Sequence, residues 1–348
     1  MLKLPRTVEW VDGKVRLINQ LKLPHKLEFI VTDDYRRVAE AIKKMEVRGA
    51  PAIGVTAALG LALAVQEIDV EDLGKALQRL EEAAKVLAST RPTAVNLFWA
   101  INRIMEKARK ATSVDDLKKI VTEEALKIAK EDEETNRKIG EVGEKLLEDG
   151  DTVITVCNAG SLATSYYGTV TAPIYRALEK GKVVNVIAME TRPYWQGARL
   201  TAFELKMAGI PVKIVTDNSI GIVTLKEKVD IALVGADHIT GDGYLVNKIG
   251  TYLLALVAKE RGFPFYPVAP TSTLDPKATI NDVEIEKRAS EEVLYVFGKR
   301  IAPEGVEAIY YAFDITPPNL ITGIITEKGI LYPPLPRAIK RVAGYERV

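Results

Sequence analysis

The chain has 348 residues, with 48 lysines and arginines against 47 aspartates and glutamates, a formal net charge of +1. That balance excludes a general nucleic-acid or membrane-surface role, since such surfaces carry a basic excess. At 47% hydrophobic and 27% charged residues the composition is that of an ordinary soluble globular protein, long enough for about two domains. The lone Cys157 excludes an internal disulfide and a cysteine-based zinc site, and His25 and His238 are too few for a histidine-rich metal site. The start, MLKLPRTVEWVDGKV, has no apolar run, so no signal peptide is expected and the chain reads as cytoplasmic.

The opening predicts a strand pair, VEWV and KVRLIN, joined by Asp12-Gly13, a type I′ hairpin signal. Asp33-Asp34 is a plausible N-cap pair. Beyond it, segments 35–46, 50–66, 71–88, 94–111, 114–130 and 132–148 space apolar residues by three and four, with Lys, Glu and Arg opposite, which predicts six helices. The uncharged run 49–66 approaches transmembrane length. It holds Pro51, Gly54, Thr56 and Gly60 and many alanines between charged flanks, so a buried, tightly packed helix is expected and no membrane span. Residues 1–149 thus read as a small hairpin followed by a helical domain.

From Gly150-Asp151 the pattern changes. DTVITVC, VVNVIAM (183–189), VKIVT (212–216), DIALVGA (230–236) and PFYPVA (264–269) are short β-branched or apolar runs, and helical patterns at 162–180, 196–208 and 245–261 lie between several of them. Such alternation predicts right-handed βαβ units and a doubly wound parallel sheet, a Rossmann-like domain over 150–348. The fold class is therefore α/β: a helical N-terminal domain with a small β-hairpin, then a Rossmann-like C-terminal domain. The last thirty residues, proline-rich at 333–336, read as an irregular closing strap.

Ligands of a doubly wound sheet lie beyond the carboxyl ends of its strands. Those ends carry Cys157 with Asn158-Ala159-Gly160-Ser161, Glu190 with Thr191-Arg192, Asp217-Asn218, and Gly235-Ala236-Asp237-His238. A lone cysteine after VITV is equally well a small buried residue. The following NAGS, if it opens a helix, supplies backbone N–H groups that bind phosphate and lower a thiol pKa. Asp237 reads either as a helix cap or, partly desolvated at a strand end, as a proton donor near neutrality. Arg48-Gly49-Ala50-Pro51 opens the apolar helix. Small residues there admit a ligand to the backbone, and Arg48 can fork onto phosphate. Thr90-Arg91-Pro92-Thr93 forms a second arginine corner. Asn247-Lys248-Ile249-Gly250 is expected to begin a helix, with Lys248 toward phosphate and Asn247 toward sugar hydroxyls. Arg192 reads equally as a structural partner of Glu190. No G-x-x-x-x-G-K-[ST] and no G-x-G-x-x-G after a strand is present, so no nucleotide site is supported.

In order along the chain, RGAPAIG (48–54), TRPTAVNL (90–97), VCNAGSLAT (156–164), ETRPYWQGARLTAFEL (190–205), GADHI (235–239), NKIGTY (247–252) and ITPPNLITGIIT (315–326) resemble the methylthioribose-1-phosphate isomerases. These are relatives of the initiation factor 2B regulatory subunits and of archaeal ribose-1,5-bisphosphate isomerases. The resemblance implies a helical domain on a Rossmann-like domain, usually dimeric, and an aldose–ketose isomerase of methionine salvage acting on a small sugar phosphate without cofactor or metal. It assigns Cys157 and Asp237 as the catalytic pair, and Arg48, Gly49, Ala50, Arg91, Gln196, Asn247 and Lys248 as substrate-binding. The chain departs from many members at Val156, where they carry His, at His238, where they carry Arg, and over Thr240 to Val246. The catalytic pair is intact. The leading INQLKLP (18–24) resembles the methylthio enzymes; ribose-1,5-bisphosphate isomerase and a non-catalytic regulatory subunit are the alternative readings.

Overall fold

The computed structural model describes residues 2, 4–92, 94–285 and 287–344. Two compact units emerge. One comprises Leu4–Asn136 with Gly160–Gly168; the other comprises Arg137–Ala159 and the chain from Thr169 onward.

In the first unit, β1 (Val8–Val11) and β2 (Lys14–Ile18) form the expected hairpin across Asp12 and Gly13, both at positive φ as a type I′ turn demands. A third strand, β3 (Phe29–Thr32), which no sequence pattern announced, pairs antiparallel with β2. Asp34 caps α1 (Tyr35–Lys43) by accepting from the Arg36 N–H. Helix α2 (Ala50–Gln66) spans the uncharged run and is buried on all sides from Ala52 to Val65. It is apolar all round because it is the centre of this unit. Helices α1, α3 (Leu73–Ala88) and α4 (Val95–Ala108) pack against it, and Gly60 lets Leu87 and Val38 approach closely. Among the described residues no helix is long and apolar enough to cross a membrane. Segments 114–130 and 132–148, expected as two helices, are one helix α5 (Val114–Gly143) followed by a 3-10 turn. No Gly or Pro stands between Lys130 and Asp132, so nothing terminates the helix there. Within it the half-buried Asp132 holds Ser165, accepting from its backbone N–H at 2.7 Å and its hydroxyl at 2.6 Å.

The second unit is built on a five-stranded sheet of β4 (Thr152–Thr155), β5 (Asn185–Met189), β6 (Val212–Val215), β7 (Ile231–Val234) and β10 (Phe265–Pro267). The order is β10-β7-β4-β5-β6, with every pairing parallel. The chain adds β5 and β6 on one side of β4, then returns to add β7 and β10 on the other. The strand order therefore reverses between β4 and β7, the switch point at which doubly wound sheets open a crevice. Helices α6 (Thr171–Glu179), α7 (Ala202–Met207), α8 (Ile220–Lys226) and α9 (Thr251–Arg261) connect or follow these strands.

Three expectations are corrected. Residues 245–248 are a strand, β9, paired antiparallel with β8 (His238–Thr240) and with β14 (Phe313–Thr316), so the helix begins only at Thr251. The Asn158–Ser161 segment opens a single 3-10 turn (Ser161–Ala163), and α6 starts ten residues further on. The final residues are not irregular: a hairpin of β15 (Ile324–Thr326) and β16 (Gly329–Leu331) precedes α11 (Leu335–Val342), whose Leu335, Ala338 and Ile339 are buried. Between the sheet and this tail lie β11 (Leu274–Asp275), α10 (Glu291–Leu294), β12 (Tyr295–Val296) and β13 (Lys299–Arg300).

Candidate active site

Strand β4 is central in its sheet, apolar and β-branched, and it delivers Cys157 to the carboxyl edge. Its register with β7 pairs Ile154 with Ala232. Counting on from that pair sets Cys157 level with Gly235, two residues before Asp237. Adjacent strands lie about 5 Å apart, so the cysteine and the aspartate stand at neighbouring strand ends. The two ends meet tightly: a Cβ on Gly235 would fall 2.7 Å from the Ala159 Cβ and 3.7 Å from the Asn247 Oδ1. Asn247 is thereby placed at the same crevice, on β9.

Cys157 has φ +65° and Thr191, at the end of β5, has φ +64°. Left-handed backbone costs a non-glycine residue about 1–3 kcal/mol and persists only where its surroundings over-determine it. A buried network does so here. The Cys157 N–H donates to Thr191 Oγ1 at 2.8 Å, and that hydroxyl donates to the Met189 carbonyl at 3.0 Å. The Cys157 carbonyl accepts from Thr201 Oγ1 at 2.7 Å. Asn158 Nδ2 donates to Thr201 Oγ1 at 3.1 Å and to Glu204 Oε1, whose other oxygen accepts from the Tyr175 hydroxyl at 3.0 Å. Thr201 ends a π-helical turn, Gly197–Thr201, a feature that recurs at functional sites. The turn lies so close to β5 that a Cβ on Gly197 would sit 1.7 Å from the Met189 carbonyl oxygen.

The neighbouring loop is held as firmly. Asp217, at the end of β6, accepts from the Thr191 and Arg192 N–H groups at 2.8 and 2.7 Å. Burial, and then the charge of Asp217, push the Glu190 carboxyl above its ordinary range. The Arg192 guanidinium lies 4.6 Å from the Trp195 ring centre and donates to the Val293 carbonyl at 3.0 Å, while its Nη1 is buried without a partner. Its role is thus not an ion pair with Glu190 alone. Gln196 Oε1 is likewise buried and unpartnered. A site that leaves such atoms unsatisfied has hydrogen bonds in reserve for a ligand.

Asn247 Nδ2 donates to Thr251 Oγ1 at 2.9 Å, and the Lys248 ammonium lies 4.6 Å from the Phe313 ring centre. Across the β9–β14 ladder from Asn247, Asp314 accepts from the Gly250 and Tyr252 N–H groups and caps α9. Burial pushes the Asp314 carboxyl up to about 6.

Cys157, Asp237, Gln196, Asn247 and Lys248 all belong to the sheet unit. Arg48, Gly49, Ala50 and Arg91 belong to the helical unit, where they come to one end of a helix pair: Gly54 of α2 lies against the Asn96 carbonyl of α4, next to the corners holding Arg48 and Arg91. Thr93 lies outside the described residues. Gly49 has φ +95°, and its missing side chain is required by Ala163, whose backbone a Cβ would meet at 2.5 Å. The expectation that Gly49 is small for a ligand's sake gives way to this packing. Asp237 is exposed, so the chain by itself does not desolvate it as expected. Phosphate binding at a helix opened by Asn158–Ser161 is also lost, because no α-helix begins there. Sequence reasoning named Thr191 only as part of a polar strand end and missed Thr201 and Asp314. Thr201 could have been noticed as a polar residue inside an apolar helical pattern; Asp314 carried no local signal.

The chain belongs to the Initiation factor 2 subunit family, whose family model matches residues 46–333. It is 49% identical over 337 residues to a methylthioribose-1-phosphate isomerase of Thermosipho africanus, covering 97% of each chain. The crystal structure of a 5-methylthioribose 1-phosphate isomerase from Pyrococcus horikoshii is 43% identical, with a TM-score of 0.95 over 99% of this chain and 97% of that one. A protein described as translation initiation factor eIF-2B, subunit delta, from A. fulgidus is 48% identical, with a TM-score of 0.91 over 97% of this chain and 100% of its own.

Proposed function

We propose that the protein is an aldose–ketose isomerase that converts 5-methylthioribose 1-phosphate to 5-methylthioribulose 1-phosphate in methionine salvage. The near full-length similarity to isomerases of that name supports the activity. The observation that carries the site is the left-handed Cys157, held by Thr191 and Thr201 at the switch point beside the strand that delivers Asp237.

In this reading the phosphate on C1 blocks ordinary ring opening, so Asp237 donates a proton to the ring oxygen as its bond to C1 breaks. A hydrogen then moves from C2 to C1 and the C2 hydroxyl becomes the carbonyl, so no external oxidant or cofactor is needed. Either Cys157 acts as base, taking the C2 proton to leave an enol that is protonated at C1, or the hydrogen crosses as hydride and Cys157 stabilises the charge that shifts to C2. Arg48, Arg91 and Lys248 hold the phosphate, with Gly49 and Ala50 beside it, and Gln196 and Asn247 take sugar hydroxyls. Fixed positioning supplies much of the rate. Because Asp237 is exposed, the bound sugar itself must exclude water from the carboxyl. The working form in this proposal is a cytoplasmic homodimer.

The similarity to a chain described as an initiation factor subunit supports a second reading, a non-catalytic regulatory subunit. A scaffold has no need of a strained cysteine beside an aspartate, which favours the enzyme. Purified protein assayed on 5-methylthioribose 1-phosphate and on ribose 1,5-bisphosphate tests the proposal. Ketose from the methylthio sugar is expected; turnover of the bisphosphate alone would replace the substrate, and turnover of neither would leave the regulatory reading.

A further inference from the structure

The chain between the sheet and β14 is pinned on the loop after β5. Arg192 donates to the Val293 carbonyl, the Phe297 ring stacks on Trp195 at 5.1 Å, and Arg288 Nη2 lies 3.5 Å from the Tyr194 hydroxyl. Arg288 also pairs with Glu292 at 2.9 Å and donates its backbone N–H to the Tyr310 carbonyl. These contacts bring Tyr310 over the carboxyl edge of the sheet. It is 5% exposed, yet its hydroxyl has no hydrogen-bond partner. Burial raises the phenol pKa most. Glu292 raises it further, Arg288 opposes, and Tyr194 and the Cys157 thiol add smaller increases. The hydroxyl therefore stands within the electrostatic reach of Cys157 and keeps its proton throughout the working pH range.

A buried hydroxyl that bonds nothing is a cost to the unliganded protein. Glu292 gives one oxygen to Arg288, and its other oxygen is buried without a partner, so it does not accept from the phenol. The one chemistry for which a neutral phenol beside the catalytic thiol is suited is hydrogen-bond donation to a substrate oxygen. We propose that Tyr310 is a substrate-contacting residue of the isomerase site, donating to the sugar oxygen on C2, where the carbonyl develops. This rests on the isomerase reading above. The bond fixes the C2 hydroxyl so that its own proton is free to leave as the carbonyl forms, and it acts by positioning.

The test is Tyr310→Phe, which removes the hydroxyl and keeps the ring. Turnover of 5-methylthioribose 1-phosphate is measured beside the melting temperature with and without that sugar. The expected result is a fall of about tenfold or more in kcat/KM. The unliganded melting temperature stays equal or rises, and the shift produced by the sugar shrinks. A variant as active as wild type would overturn the assignment. So would a loss of activity matched by a lower unliganded melting temperature, because the hydroxyl would then have a structural partner. If the wild type itself turns over no methylthio sugar, the isomerase reading fails and the assignment falls with it, a pattern distinct from equal activity in both proteins.

Discussion

At the carboxyl edge of the five-stranded sheet, Cys157 and Thr191 hold left-handed backbone, a π-helical turn presses on β5, and Gln196, Arg192 and Tyr310 bury polar atoms without partners. At the amino edge, Thr152, Asn185 and Val212 line a groove of about 510 Å³ with Lys206, Lys213, Glu227 and Lys228. The groove is roomy, but two of its three lysines already meet carboxylates: Lys213 meets Glu227 at 3.1 Å and Lys228 meets Asp230 at 2.7 Å. None of the positive-φ non-glycine residues lies among those lining it. The contrast teaches that volume does not locate chemistry. Strained backbone and unsatisfied buried groups are commonest at working sites, and at this sheet they gather on the carboxyl edge.

Substitutions at the two edges should differ by orders of magnitude. Cys157→Ser is expected to lower kcat by a hundredfold or more, on the order of what a positioned acid–base group contributes, with the fold intact by circular dichroism. Wild-type turnover would break the contrast. Gly197→Ala forces a Cβ into the Met189 carbonyl oxygen. The π-helical turn must move, so stability should fall by about 3 kcal/mol or more, read as a lower denaturant midpoint with activity lost in parallel.

Asp314 sharpens the comparison through pH. Its folded pKa, about 6, lies above that of an unfolded aspartate, because burial disfavours the charge. Between about pH 4 and 6 the native state therefore holds this proton more tightly than the unfolded chain, and the group's contribution to stability declines as pH rises through that window. Asp314→Asn does not titrate. Relative to wild type its stability should climb from pH 4 to pH 6.5, by at most about 3 kcal/mol; a flat or descending difference in urea midpoints would deny that burial dominates. Thr191→Val removes the hydroxyl that serves both Cys157 and Met189. It should cost about 2 kcal/mol and lower turnover as the cysteine backbone relaxes. At the amino edge Lys213→Ala breaks an exposed ion pair and should leave turnover and melting temperature unchanged.

Much of the frame was legible because its signals are local. The uncharged run became α2 over Ala50–Gln66, and each of the five apolar runs became a parallel strand. Strand ends then named Cys157, Glu190, Asp217 and Asp237 without any knowledge of the ligand. What was not legible depends on contacts distant in the chain. Asn247 and Lys248 look like a helix start, but pairing with β8 and β14 makes them a strand. The left-handed turn at Cys157 is imposed by threonines 34 and 44 residues away. Tyr310 has no motif around it, and only the path of the segment from Arg288 onward brings it to the site.

The most direct test follows the C2 hydrogen of 5-methylthioribose 1-phosphate, deuterium-labelled at C2, in wild type, Cys157→Ser and Asp237→Asn side by side. Wild type should give the ketose phosphate with the label moved to C1 or exchanged with solvent, while both folded variants fall by two orders of magnitude or more. Ketose formed at the wild-type rate by either variant would contradict the assignment of catalysis to the thiol and carboxyl at the switch point.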